Sequence, residues 1–376
     1  MVTRMQLVEP RRADIHPDPG HSPTLPGWAY TDPGIFERER ENIFHRAWHY
    51  AGALADLKEP GDFLTASVID QDVFVIRDKD GELKGFYNVC RHRAHGLLQG
   101  KGRAKVITCP YHAWSYRLDG SLRSARGAEA TPGFDMSCFS LKPIRVEVFA
   151  DHFVFFNLDL EAVPLSEQAA DLAQELRSEI PGFADFTAVG EDWMRSELKA
   201  NWKVVVDNFL ECYHCRPAHP AFADLLEMES YKIAFGKIWS SQKGELRRYD
   251  SKAYHVSQDA VIKRARFWWL WPTTTFNSMP GDSTLGVFVM SPTGPETTAQ
   301  GGRLYGLPGT VQDPARAAYA TNVLAPEDNA ICESVQRGLH SKGYDAGRFI
   351  HDPAGGETNE AAVHQFHRLV AEAVGI

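Results

Sequence analysis

Two cysteines and two histidines occupy a short stretch of this chain. Cys90 and His92 lie in "FYNVCRHRAH", Cys109 and His112 lie in "CPYHAWSYRLDG", and sixteen residues separate His92 from Cys109. Each short segment follows a β-like run, so a sheet could hold the two pairs face to face. A Cys₂His₂ set is a normal structural zinc site, and that is the plain alternative. The usual zinc finger groups its cysteines and its histidines, whereas here each loop offers one of each. The mixed order suits a two-iron cluster with one iron on the two thiolates and the other on the two imidazoles, which raises the reduction potential. That spacing describes a one-electron carrier.

A second constellation follows in "NWKVVVDNFLECYHCRPAHP". A helix starting near Asn201 puts Asp207, Glu211 and His214 at i, i+4 and i+7 on one face, with Val205, Val206 and Phe209 elsewhere. His219 lies five residues beyond His214, about 140° around a regular helix, so the helix must distort or break, and Pro217 provides a reason. Two neutral histidines plus one carboxylate make a facial triad for non-haem Fe(II). The candidate carboxylate lies in "PEDNAICESVQRGL", where Asp328 falls just inside a helix opened by Pro326 and anchored by Ile331 and Val335. Glu327 is the alternative ligand, and favourable first-turn helix charge is the plain explanation for both acids.

The surrounding pattern indicates what must position these groups. Residues 1–44 read as a Pro/His-rich arm with one helix, in which Ile35, Phe36, Ile43 and Phe44 have helical spacing. From 45 to 160 the chain breaks into short β segments, with Asp80-Gly81 and Asp119-Gly120 as hairpin turns. From 161 to 376 the texture is mixed. "SEQAADLAQELRSEI" and "NEAAVHQFHRLVAEAV" read as helices, the latter with Val363, Phe366 and Val370 on one face, while "FWWLWPTTTFNSM" and "TLGVFVMSPTG" read as strands. The fold class expected is α+β.

Composition narrows the function. A net charge of −9 argues against a phosphate backbone as partner, so no nucleic-acid role is expected. "MVTRMQLVEPRRADIHPDPG" lacks the apolar core of a signal peptide, and no run approaches the roughly 18 apolar residues of a membrane span. A cytoplasmic protein without membrane attachment is expected. Six cysteines in 376 residues are too sparse for a disulfide framework, so Cys138, Cys212, Cys215 and Cys332 read as inert thiols.

Taken together, the two constellations and their flanks resemble the Rieske non-haem iron oxygenases from about Phe36 to Leu339. The resemblance implies a Rieske [2Fe-2S] domain held by Cys90, His92, Cys109 and His112. It also implies a helix-grip catalytic domain, whose curved antiparallel sheet covers a mononuclear Fe(II) on His214, His219 and Asp328. The "EDxxxxE" segment with its following Gln is what carries Asp328 over. In that family an acid three residues before the first histidine links an iron-ligand histidine to a Rieske histidine of the neighbouring subunit in a homotrimer. Glu211 has that position, with His112 as its expected partner. No Gly-rich dinucleotide fingerprint occurs, so a separate NAD(P)H-dependent reductase is implied as electron donor.

Glu211 in "ECYHC" looks more like the stachydrine, glycine betaine and carnitine oxygenases than the aromatic-ring dioxygenases, and N-demethylation or hydroxylation of a betaine-like compound is the expectation. In "RARFWWLWP", strand alternation sends Phe267, Trp269 and Trp271 to one face and Trp268 to the other. Such a cluster suits cation-π capture of a quaternary ammonium, although aromatic stripes also form plain core. The alternative substrate is an aromatic or heteroaromatic acid clamped by Arg264 or Arg266. A different class is a non-catalytic electron-transfer or zinc-stabilised binding protein, which metal analysis separates.

Overall fold

The computed structural model describes residues 12–194 and 197–376. Strands between His49 and Asn157 form a seven-stranded antiparallel sheet. Its strands run in the order His49–Ala53, Phe153–Asn157, Pro143–Phe149, Leu83–Tyr87, Gln71–Arg77, Asp62–Val68 and Lys101–Arg103. A second sheet of three short strands, Ile107–Thr108, Ser115–Tyr116 and Leu122–Ser124, stands beside it. Both expected hairpin glycines have positive φ, and a Cβ at Gly120 would lie 2.3 Å from the Phe86 ring. That turn therefore needs glycine for space as well as for its backbone angle.

The larger half carries another seven-stranded antiparallel sheet, curled into a half-barrel. Its order is Thr187–Met194, Thr297–Gly306, Thr284–Gly294, Thr274–Ser278, Arg264–Leu270, Trp239–Leu246 and Leu226–Phe235. "FWWLWPTTTFNSM" is thus two paired strands with a turn at Pro272, where a proline has no N–H to give the ladder. Four helices matter to the site: α1 (Ala170–Glu179), α2 (Trp202–Phe209), α3 (Ala325–Leu339) and α4 (Ala361–Val374). The apolar stripe read in α4 is real, with Val363, Phe366 and Val370 buried.

Two helices differ from expectation. α2 ends at Phe209, so Glu211 and His214 follow it in a loop, and the i, i+4, i+7 stripe does not form. Asp207 turns away, accepting from Tyr30 Oη at 2.7 Å and pairing with His367 Nε2 at 2.9 Å. Pro326 does not open a helix either. The helical run begins at Pro314, capped by Asp313, and continues through a π-turn at Ala320–Leu324 into α3. The π-turn precedes the proline, whose missing N–H cannot close a regular helical bond. Register then sets Cys332 and Gln336 on the buried face below Asp328, and Val335 is exposed.

The N-terminal helix Pro33–Glu39 packs against the larger half. Glu39 is buried and bonds Trp202 Nε1 at 2.8 Å and the fully buried Lys203 ammonium. Desolvation lowers the Lys203 pKa, and the attraction of Glu39 opposes that fall. Glu39→Ala should therefore destabilise the catalytic half by ~3–5 kcal/mol, since it strands a buried cation. Replacing Glu39 and Lys203 together by methionine should cost much less. Urea unfolding followed by tryptophan fluorescence compares the two.

Candidate metal centres

The two Rieske-like loops have one frame. Cys90 N–H donates to His95 O at 2.8 Å and Ala94 N–H to Cys90 O at 3.0 Å; Cys109 N–H donates to Trp114 O at 2.8 Å and Ala113 N–H to Cys109 O at 3.0 Å. Ala94 and Ala113 both take positive φ, 56° and 59°, a strained backbone of the kind found at ligand clamps. The loops bring the His92 and His112 rings to 4.6 Å. Cys90 and Cys109 are buried and not disulfide-bonded. His92 is held flat against Trp114, with centroids 4.8 Å apart and planes 10° apart. Tyr116 Oη accepts the Arg91 N–H at 3.0 Å, which leaves its own proton for Cys90 Sγ at 3.3 Å. Trp114 and Tyr116 were not singled out from the sequence, though both lie within the second motif.

The second group converges as tightly. One ligand atom from each of His214, His219 and Asp328 lies within 4.8 Å of the others. The segment after α2 breaks twice, with His214 preceding the helical turn Cys215–Ala218 and His219 preceding Pro220–Leu225. Asp328 reaches in from α3, its Oδ1 2.9 Å from His219 Nε2 and 3.5 Å from His214 Nε2. The opposite ring nitrogens face other carboxylates. His214 Nδ1 is 2.5 Å from Glu211 Oε1, and His219 Nδ1 is 2.8 Å from Glu327 Oε2. Both Nε2 atoms therefore point inward while Glu211 and Glu327 fix the tautomers from behind, the usual support for a metal-binding imidazole. Glu327 sits behind His219 rather than within the triad.

The same groups are coupled electrostatically. Burial opposes charge on His214, but hydrogen bonds to Asp328 and Glu211 outweigh it and raise the pKa to about 9. Burial likewise opposes charge on Asp328, and bonds to both histidines outweigh it and lower its pKa to about 2.

The triad opens into a cavity of about 260 Å³ between the curled sheet and the helices. Trp193, Phe209, Phe222, Tyr231, Phe267 and Phe288 supply its aromatic lining. Of the aromatic run read in the sequence, only Phe267 reaches it. Trp269 and Trp271 pack on Phe366 of α4, at 5.6 and 6.1 Å between centroids, and Trp268 is buried on the other face with its Nε1 on Glu175. Arg266 and Arg264 pair with Glu179 of α1 and do not line the cavity, so neither can be the clamp. Cys212 and Cys215 are joined in a disulfide between Glu211 and the helical turn, which corrects their reading as thiols; their α-carbons lie 4.9 Å apart in the tight turn. The cavity also meets Arg316 and Asp282, which the sequence reading missed. Arg316, Ala320, Leu324 and Asp328 follow at four-residue steps, a periodicity hidden by treating Pro326 as a helix start.

Comparison with known proteins matches the family model of the Rieske [2Fe-2S] domain to residues 47–139 and that of the ring hydroxylating alpha subunit (catalytic domain) to 183–376. The carnitine monooxygenase oxygenase subunit of Acinetobacter pittii is 38% identical, over 98% of this chain and 99% of its own length. The chloroplastic choline monooxygenase of Spinacia oleracea is 28% identical over 96% of this chain and 80% of its own. A solved quaternary ammonium Rieske monooxygenase superposes with a TM-score of 0.88 at 37% identity, covering 97% of this chain and 99% of that one.

Proposed function

Since the chain belongs to the Rieske non-haem iron oxygenases, with a [2Fe-2S] cluster and a mononuclear iron as cofactors and a separate reductase as electron donor, we propose that it hydroxylates a carbon bonded to the nitrogen of a betaine-like quaternary ammonium compound. The observation that carries this reading is the cavity, where six aromatic side chains stand beside the triad. A desolvated trimethylammonium gains ~0.5–2 kcal/mol from an aromatic face.

In this reading Cys90, Cys109, His92 and His112 hold the cluster, and His214, His219 and Asp328 hold the iron. The free, buried cysteines and the two facing imidazoles fit the first group, and two Nε2 atoms with one carboxylate oxygen fit the second. When bound, these groups supply one-electron transfer and O₂ activation. The protein residues hold the ammonium against the aromatic wall, keep bulk water out, and fix the histidine tautomers through Glu211 and Glu327. Three chains assemble head to tail in the cytoplasm, so that Glu211 connects His214 to His112 of the neighbouring chain. Among the described residues no helix is long and apolar enough to cross a membrane.

Hydroxylation uses O₂, two electrons and two protons and leaves water and a carbinolammonium, which loses its hydroxyl proton and splits its C–N bond. Attack on an N-methyl group yields formaldehyde and a tertiary amine; attack on the chain methylene yields an aldehyde and trimethylamine. The test is turnover of carnitine, γ-butyrobetaine, glycine betaine and choline against benzoate-like acids, with a compatible reductase and both products assayed. Coupled oxidation of the acids alone would reject the substrate class. Cys109→Ala should abolish the visible cluster spectrum and leave about one iron per chain of the roughly three expected, because a methyl group cannot replace a thiolate. An unchanged spectrum would remove Cys109 from the ligand set.

A further inference from the structure

We propose that the short three-stranded sheet of the cluster half, with the loop that follows it, is the docking face for the reductase, and that electrons enter there through Trp114 and His92; this rests on the two-component reading above. An electron carrier needs an entry as well as an exit. In that reading the exit is His112, whose ring lies against the half-exposed Tyr111 with centroids 3.7 Å apart. His92 meets different neighbours. Its ring is flat on Trp114, and Trp114 meets Phe134 and Phe139 nearly at right angles, at 5.6 and 5.5 Å between centroids. Those two rings stack on each other, and Met136 between them in the chain is 38% exposed. Aromatic contacts thus run from a cluster ligand to the surface.

The same surface is basic in an acidic protein. Residues 90–126 hold eight Lys and Arg and a single acid, Asp119, although the whole chain has a net charge of −9. Tyr116 and Leu122 pair across the small sheet and are buried, so strand alternation turns Arg117 and Arg123 outward, and Arg126 follows in the next turn. All three arginines are exposed, and none has an ion pair among the described residues. Lys101 and Arg103, by contrast, are tied to Asp56, Asp192 and Asp62. The turn Met136–Phe139 packs beside the strand Leu122–Ser124, which brings the arginines and the aromatic contacts onto one face. Unpaired cations around a partly apolar centre fit a partner with an acidic rim, because opposite charge steers the encounter. That partner is the electron-delivering domain of the reductase, with acids around its redox centre. Each encounter oxidises the partner by one electron and reduces the cluster by one.

The experiment mixes oxidised holoenzyme anaerobically with the compatible reductase of the turnover test, held reduced, and follows bleaching of the cluster spectrum at low and high salt. Dithionite serves as a reductant that needs no docking. Arg123→Glu combined with Arg126→Glu should slow reduction by the reductase ~30–100-fold at low salt, weaken binding of the oxidised pair by a similar factor, and flatten the salt dependence. Reduction by dithionite, and reoxidation of the prereduced cluster by substrate and O₂, should stay within about threefold of the parent. Met136→Glu sets an acid in the apolar centre and should slow the reductase ~10-fold; it carries the test if the double variant does not fold. An unchanged reductase rate in the folded variants would overturn the proposal. So would a rate lost in Arg93→Glu and kept in the double variant, which would move docking to the His112 tip. A double variant whose assembly differs from the parent's by size-exclusion chromatography would make the face a contact between copies instead. If dithionite reduces the parent cluster and the reductase does not, the two-component reading fails and the proposal fails with it.

Discussion

Asp328→Ala is expected to strip the mononuclear iron during dialysis against a chelator, lower turnover at least ~1000-fold, and leave the cluster spectrum intact. In the proposed triad the carboxylate is the single anionic ligand, and the metal's stabilisation of developing charge is worth several kcal/mol, of which each ~1.4 kcal/mol lost costs tenfold. Cys90, His92, Cys109 and His112 belong to loops of the other half, so the cluster serves as an internal control. Glu327→Gln should act more mildly, weakening iron by ~10–100-fold, because Glu327 meets the outward Nδ1 of His219 rather than the inward Nε2. Greater iron loss from the Glu327 variant than from Asp328→Ala would exchange their roles. The same geometry sets a pH dependence in the iron-free protein. His214 is held to about 9 against an ordinary 6.5, so its coupling to Asp328 and Glu211 stabilises the fold fully below 6.5 and is lost as pH rises through about 9. Iron uptake must displace that proton, so iron affinity should fall as the pH is lowered from 9, with protons released on binding.

Glu211→Gln should retain both metal centres and still slow turnover by ~100-fold or more. Glu211 Oε1 faces His214 Nδ1 and Oε2 accepts the His214 backbone N–H at 3.1 Å. A carboxylate can serve both and still offer lone pairs to an imidazole of a neighbouring chain. Glutamine puts an NH₂ against one of these N–H donors, so one contact becomes donor against donor. The cluster should be reduced normally by the reductase, while its reoxidation in a single turnover with substrate and O₂ becomes slow. A wild-type reoxidation rate in this variant would dissociate Glu211 from electron delivery.

Several parts of this protein could be read without a structure because the chemistry and the geometry are both local. Cys90 and His92, and Cys109 and His112, lie on turns of a few residues, so spacing nearly dictates how each pair is presented. His214 and His219 flank a short segment that must bend. The stripe of Val363, Phe366 and Val370 specified its helix through a repeat of 3.6 residues.

Other features depended on distant parts of the chain meeting. Glu327 and Asp328 are adjacent and alike, and nothing in the helical period says which carboxylate faces Nε2; the resemblance favoured Asp328, and the seating of α3 against His219 turns it inward. Phe267 and Trp269 share a strand face, as a period of two requires, yet one meets the cavity and the other meets Phe366. Arg266 and Arg316 are equal candidates in a sequence, and only packing gave one to Glu179 and left the other with an unpaired edge. Periodicity records which residues share a face of an element. What covers that face is a long-range contact with no local signature, and it decided whether these side chains became core, buried ion pair or cavity lining.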